Sequence, residues 1–349
     1  MNNRKRSPRG SFFCFLGFSM NIYEHLGPLE KKNKKTMNTF GCNFRFTSFG
    51  ESHGVAIGGV VDGCPAGMNI DFEWIERDLA RRRGAGLPGT TARREPDNVE
   101  WLSGVLDGVT LGTPIAFIVR NSDIRSDDYD MLRECHRPGH ADYTYQQRYG
   151  LRDHRGGGRA SGRETVARVV AGGIAKQILR QRGISIAATA SVGNTAEVDT
   201  CGGTVSCVIE GVPAGVGNPV FGRLNAALAA AMMSIPSAVG FEMGDGFAAA
   251  AMTGREYADA WGNPADNESL TKTNHCGGIQ GGISNGMPIS FRVAFHPVVT
   301  QAGITQCLTK DGDLRDVEIK GRHDRCHVLR CPPIVEAMAA MTIVGLIEN

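Results

Sequence analysis

Arg155-Gly156-Gly157-Gly158-Arg159-Ala160-Ser161-Gly162-Arg163-Glu164-Thr165 runs without a break into Val166-Ala167-Arg168-Val169-Val170-Ala171-Gly172-Gly173-Ile174-Ala175. Val166, Val170, Ile174 and Ile178 recur at helical spacing, which predicts a helix over 163–182. Ala167, Ala171 and Ala175 leave room for close neighbours, so this helix, the longest in the chain, is expected at the centre of the fold. In front of it, glycines let backbone N–H groups approach an anion, the helix start adds partial positive charge, and guanidinium forks supply charge-assisted hydrogen bonds. The stretch reads as a phosphate-binding entry to a central helix.

Outward from this helix, short elements alternate irregularly. A buried strand is expected over 55–62 and another over 113–119, and Asp71 is placed to cap a helix that turns Phe72, Ile75 and Leu79 inward before ending in Arg81-Arg82-Arg83. Residues 204–209 and 289–295 alternate with period two, Ile289, Phe291, Val293 and Phe295 facing one side, as in half-buried antiparallel strands. Pro219 is expected to open a helix through Met233, and 193–203 reads as a loop. The mixture indicates α+β layers. A Gly-x-Gly-x-x-Gly fingerprint between a strand and a helix is missing, so a dinucleotide-binding fold is not supported.

Composition narrows the class of partner. With 349 residues, 41% of them hydrophobic, the chain can bury a large core as one big domain or two ordinary ones. A net charge of +2, with arginines grouped beside glycines, favours a local anionic ligand over nucleic acid. The 10 cysteines include no Cys-x-x-Cys pair, which suits a reducing cytoplasm. No stretch approaches the roughly 20 apolar residues that span a bilayer. Residues 1–36 differ from the rest: Arg4, Lys5, Arg6 and Arg9 precede an apolar run from Phe12 to Phe18 that superficially resembles a secretory signal, but a small-residue cleavage site is lacking. They are read as a disordered or misassigned extension, with globular patterning starting at Met37.

Several clusters carry candidate chemistry. Gly50-Glu51-Ser52-His53-Gly54 forms a tight turn. Adjacent side chains on an extended segment point apart, so Ser52 and His53 read as donors to an anionic substrate rather than as nucleophile and base, the alternative being an ordinary loop. Arg137-Pro138-Gly139-His140-Ala141-Asp142-Tyr143 fixes a histidine by a rigid turn, which suits proton transfer or a helix cap; Pro138-Gly139 between His136 and His140 argues against a helical metal pair. In Lys320-Gly321-Arg322-His323-Asp324-Arg325-Cys326-His327, an acid among arginines can serve as a base or simply join a salt-bridge network. The glycine-rich 274–286 stretch lets backbone lie against a planar ligand. Arg81-Arg82-Arg83 and Arg93-Arg94 flank a Gly84–Gly89 loop suited either to closing over a phosphorylated ligand or to a solvated basic face.

Taken in order, Phe49 to Gly54, Arg137 to Tyr145, Gly156 to Thr165 and Gly321 to Asp324 resemble the signatures of the chorismate synthase family, and the similarity runs from about Met37 to the end. The resemblance implies a single-domain β-α-β sandwich over 37–349, antiparallel sheets around central helices, assembling as a cytoplasmic homotetramer. It implies trans-1,4-elimination of phosphate from 5-enolpyruvylshikimate 3-phosphate, with reduced FMN needed but not consumed. By that analogy His53 protonates or stabilises the departing phosphate, His140 protonates the anionic reduced flavin, and Asp324 helps a flavin nitrogen accept the substrate hydrogen. Ser52, Arg82, Arg163 and Arg322 hold phosphate and carboxylates, Arg322 also standing with the cofactor-binding residues. Arg159, Ala160, Ser161, Gly281, His296, Pro297, Val298, Val299 and Thr300 line the flavin, and Pro236 and Ser237 occupy the place of a usual flavin-contacting pair.

The chain departs from the family pattern in places. The connection over 189–203 is shortened by several tens of residues, and the end after Val344 reads as clipped. Arg325 stands where proline follows the aspartate, His296 where a lysine is often found, and Pro88 near a second loop arginine. These departures set a flavin- and phosphate-binding pseudoenzyme, or an inactive truncated paralogue, beside the active enzyme. Without a pyridine-nucleotide motif, reduced flavin is expected from a separate flavin reductase, NADPH serving only as an indirect reductant.

Overall fold

The predicted central helix forms as α3 (Thr165–Arg180), and it starts later than expected because two short 3-10 turns, Gly158–Ala160 and Gly162–Glu164, precede it. A computed structural model describes residues 37–84, 95–124, 126–193, 199–263, 269–320 and 324–347. In it α3 is buried nearly all round rather than along one stripe, Val166, Ala167, Val169, Val170, Ile174 and Leu179 among the shielded residues. Residues 38–349 form one compact unit.

One sheet has five antiparallel strands in the order β1 (Thr39–Phe40), β2 (Arg45–Phe49), β3 (Ala56–Asp62), β7 (Ile115–Arg120) and β4 (Val99–Trp101). A hairpin, β5 (Val105–Leu106) and β6 (Val109–Thr110), lies between β4 and β7 in sequence. The other large sheet runs β11 (Ala238–Met243), β14 (Ile289–Phe295), β10 (Gly203–Glu210) and β9 (Ser185–Val192), again antiparallel throughout. Ile289, Phe291, Val293 and Phe295 are all buried, as their alternation requires. Smaller sheets are β8 (Cys135–His136) with β15 (Gly303–Thr309) and β16 (Leu314–Ile319), and the pair β12 (Ile279–Gln280) and β13 (Ile283–Ser284).

Between the two large sheets lies a helical layer. α1 (Phe72–Arg83) is capped by Asp71, whose carboxylate accepts from Trp74 N at 2.8 Å, and it ends at Gly84 in the left-handed conformation, φ 62°. α3 packs on β2, β3 and β7, whereas α6 (Pro332–Leu346) packs on β9 and β10, and the two helices pack on each other. The β-α-β sandwich thus follows from two helices that each have a sheet on one side and a helix on the other. α6 carries no period in its sequence because Ile334, Val335, Met338, Ala339, Met341 and Ile343 leave it buried on all sides. The remaining helices are α2 (Asp142–Tyr149), α4 (Leu224–Met233) and the short α5 (Gly254–Tyr257). The helix expected from Pro219 begins only at Leu224: Asn218 N bonds Gly222 O at 2.9 Å in a turn, and Leu224 N is spent on Gly282 O at 2.8 Å. Among the described residues no helix is long and apolar enough to cross a membrane.

An ion cluster centred on the buried Glu336 joins the three central helices. Glu336 of α6 accepts from Arg81 of α1 at 2.7 and 2.8 Å, from Lys176 of α3 at 3.0 Å and from Ala188 N of β9 at 3.1 Å. Lys176 also pairs with Asp78. The helices approach closely at Gly172, where a Cβ would lie 2.2 Å from Ala337 Cβ, and at Gly173, where it would lie 2.8 Å from Ile75 Cγ1. Gly172→Ala is therefore expected to destabilise the fold by about 1–3 kcal/mol through overpacking, despite a gain of about 1 kcal/mol in helix propensity. Equilibrium urea unfolding checks this, and an unchanged or higher midpoint would mean that α3 and α6 separate without cost.

Candidate active site

α1, α3 and α6 bring one end together. Arg82 in the last turn of α1 reaches Thr165 Oγ1 at the start of α3 at 3.4 Å, and Arg330, just before α6, donates to Arg82 O at 2.9 Å. Around this end the sequence motifs close into a circuit of contacts. Arg82 bonds Asp97 at 3.0 Å, and Asp97 also pairs with Arg163. Arg163 Nε donates to Asn121 Oδ1 at 2.8 Å, and Asn121 Nδ2 donates to Gly54 O at 2.8 Å and Glu51 O at 3.2 Å, bracketing the Ser52-His53 turn. Gly156 lies against that turn: a Cβ there would meet His53 at 2.4 Å and Ser52 Oγ at 3.0 Å. Gly156 O accepts from Arg137 at 2.8 Å, and two residues beyond Arg137, Gly139 faces Val299 closely enough that a Cβ would lie 3.2 Å from Val299 Cβ. At the head of that 296–300 segment His296 N bonds Ser237 O at 3.0 Å, and Ser237 Oγ lies 2.6 Å from His327 Nε2. Three residues before His327, Asp324 takes two bonds from Arg330 Nη1 at 3.1 and 2.9 Å, which returns the circuit to Arg82.

The turn conformation brings Ser52 and His53 together, Ser52 Oγ to His53 Nδ1 being 3.1 Å, where extended backbone would have parted them. Both are buried, and the His53 ring meets the edge of Tyr129 at 5.0 Å. His140 lies beside Asp142, which starts α2. Ala160 and Ser161 join the two 3-10 turns, Ser161 accepting from Arg163 N at 3.3 Å. Arg159 is engaged by the first sheet, donating to Gly50 O at 3.1 Å and to Ser48 Oγ at 2.5 Å, so its guanidinium fixes the turn that carries Ser52. Gly281 stands outside the circuit, in a hairpin whose contacts run to α4. Arg322 and the 85–94 part of the arginine-flanked loop lie outside the described residues.

Burial sets the electrostatics. The Arg82 guanidinium is drawn down to about 10 by burial, with Arg330 and Arg163 adding to the effect and Asp97 opposing it. For Asp97 burial works upward, but Arg82 and Arg163 overcome it and hold the carboxyl below its ordinary value. Burial lowers His327 to about 4, so this imidazole is neutral at physiological pH. Two buried nitrogens of the circuit lack a hydrogen-bond partner among the described residues: Arg82 Nε, which suits an anion, and His327 Nδ1, which suits the polar edge of a planar ring. The residues present therefore fit an anionic substrate next to a flavin. Asp97, Asn121 and Arg330 were not singled out by sequence reasoning, and His327 stood there only as the last residue of the Lys320–His327 stretch, with no role of its own. Only the acid of Glu95-Pro96-Asp97 close to several arginines gave a signal for the first.

A buried circuit of arginines, histidines and acids at the end of a helical layer defines an α+β enzyme built to handle anions. The chorismate synthase family model matches residues 44–197 and 193–347. A chorismate synthase of Azobacteroides pseudotrichonymphae genomovar. CFP2 is 49% identical over 349 residues, covering 88% of this chain and 98% of that protein. That of Bacteroides thetaiotaomicron is 48% identical over 346 residues, 88% of this chain and 96% of that protein. A crystal structure of chorismate synthase superposes with a TM-score of 0.68 at 28% identity, covering 88% of this chain and 92% of that one. The chain belongs to the chorismate synthase family.

Asp97 anchors two buried guanidiniums, so Asp97→Asn is expected to cost about 3–5 kcal/mol by leaving them uncompensated. Because its carboxyl is depressed in the fold, its stabilising effect is complete above the unfolded-state value near 4 and is lost as pH falls below it. The variant should accordingly lose less stability than wild type on acidification, as read from urea midpoints at neutral and acid pH; parallel losses would remove Asp97 from this role.

Proposed function

We propose that this chain is a chorismate synthase that eliminates phosphate from 5-enolpyruvylshikimate 3-phosphate to give chorismate, with reduced FMN unchanged over each turnover. One observation carries the reading: four motifs distant in sequence close into a single circuit that holds His53, His140, Asp324 and two buried arginines. That continuity supports an active enzyme over a pseudoenzyme. The shortened connection also agrees with it, since the two matched family segments overlap at 193–197, a stretch of sequence that holds none of the circuit's residues.

Reduced flavin, when bound, supplies an electron that the substrate borrows as phosphate leaves and returns as the hydrogen is lost. Arg82 and Arg163, immobilised by Asp97, present guanidinium groups to the phosphate and carboxylates at no cost in reorganisation, and the family resemblance adds Ser52 and Arg322 to the same task. His53, its ring fixed by Ser52 and Tyr129, stabilises the departing phosphate or gives it a proton. His140 provides the proton that balances the charge of the reduced flavin. Asp324, clamped by Arg330, assists removal of the substrate hydrogen. Ser237 and the 296–300 segment would hold the flavin, with Pro236, Arg159, Ala160 and Ser161 contributing backbone, whereas Gly281, outside the circuit, would not. A homotetramer, a cytoplasmic location and a separate flavin reductase belong to the same reading, as does activity residing in 37–349.

The test is chorismate formation under anaerobic conditions with chemically reduced FMN. His140→Ala and Asp324→Asn are each expected to lower kcat by about 10²- to 10⁴-fold, the range of proton-transfer groups, with folding retained by circular dichroism. Wild-type protein that binds FMN and substrate yet forms no chorismate would establish the pseudoenzyme instead.

A further inference from the structure

His140 Nδ1 lies between two side chains of opposite hydrogen-bonding character. Arg137 Nη2 is 3.2 Å away and can only donate; the carboxylate oxygen Asp142 Oδ1 is 3.1 Å away and, when ionised, can only accept. One ring nitrogen therefore has a partner for each of its states. Carrying a proton, it is drawn to Asp142; without one, it accepts a share of a three-centre bond from Arg137 Nη2, whose two hydrogens also serve Asp142 Oδ1 and Gly156 O.

We infer that Asp142 and Arg137 are positioning residues that keep the His140 imidazole in one orientation whether or not Nδ1 is protonated. The inference rests on the reading of His140 as the proton-bearing group, and it assigns roles to two residues that act through His140. The geometry supports it because neither partner depends on His140 for its own place. Arg137 Nε and Nη2 bond Asp142 at 2.8 and 3.0 Å, Arg137 N bonds the same carboxylate at 3.1 Å, and Arg137 Nη2 also bonds Gly156 O at 2.8 Å. Arg152 Nη1 adds a bond to Asp142 at 3.2 Å, while its Nη2 is anchored on Cys135 O at 2.7 Å. Asp142 and Arg137 are both buried. Burial works against the Asp142 carboxylate, but the bonds from His140 and Arg137 outweigh it and hold the group far below the ordinary range, so the acceptor stays ionised throughout neutral pH.

An imidazole with a partner in only one state would be released to turn about its χ2 bond each time the proton left, and a nitrogen would have to be re-aimed before the next transfer. Here the partners are rigid, and the proton state changes the bond without changing the direction of the ring.

The experiment is nitrogen-15 NMR of protein labelled at histidine, measured without flavin at one neutral pH, with His140 identified by its loss in His140→Gln. The ratio of Nδ1-protonated to unprotonated ring should fall by about tenfold in Asp142→Asn and rise by about tenfold in Arg137→Gln, the size expected for a charge removed at hydrogen-bond distance. Arg137→Lys, which keeps a donor, should stay near wild type. Opposite responses support the inference; responses of the same sign, or none, in folded protein overturn it. Should Asp142→Asn fail to fold, the two Arg137 variants decide by themselves, since Gln and Lys must then differ. Turnover separates the two readings: if the NMR ratios move oppositely while the kcat–pH profiles of both variants match wild type, the positioning stands and the assignment of His140 to the proton step falls.

Discussion

The approach of α3 to α6 at Gly172 is the constraint on which the remainder depends. A backbone distance that leaves no space for a methyl group at this position sets how near the two sheets can come, and so the thickness of the sandwich. Gly173 against Ile75 brings α1 to the same layer. Once these three helices are fixed, Arg82, Arg163 and Arg330, each at or beside a helix end, are carried to one place without any direct link between them in sequence.

Assembling like charges in a buried place is unfavourable unless counter-charges arrive with them. Asp97 serves Arg82 and Arg163, Asp324 serves Arg330, and Asp142 serves Arg137 and Arg152. Each acid takes part in more than neutralisation, because a guanidinium held in a fixed fork is already aimed when an anion arrives. The same arrangement explains why Arg159, rich in donors, is turned to the backbone of the Gly50 turn: the turn that presents Ser52 and His53 has to be held by something.

At the face formed by Ser237, His296 and His327, His296 stands where the family resemblance leads one to expect a lysine. His296 and His327 rings lie 6.4 Å apart, and burial keeps the latter uncharged. The charged groups of the circuit thus include Arg82, Arg163 and Arg330 with their acids, while Ser237 and the uncharged His327 offer hydrogen bonds.

Local signals made much of this legible. Asp71 capping α1, period-two alternation in β10 and β14, and small residues along α3 are short-range patterns, and each produced the element it foretold. The start of α4 did not follow from Pro219, because a turn at Asn218 and a distant carbonyl at Gly282 compete for the backbone there. Ser52 and His53 were misjudged as pointing apart for a similar reason: the geometry of a turn depends on Gly156 and Asn121 packing against it, more than 60 residues away. By itself the sequence determined the antiparallel α+β composition, the family and the motifs that hold chemistry, since these are written in periodicity and in residue type at fixed spacing. Tertiary structure alone decided that Asp97 pairs with Arg82 and Arg163 and Glu336 with Arg81 and Lys176, and that Arg159 turns to the Gly50 turn. Such pairings are set by three-dimensional proximity and by the need to satisfy every buried charge at once, and neither is encoded in any local stretch.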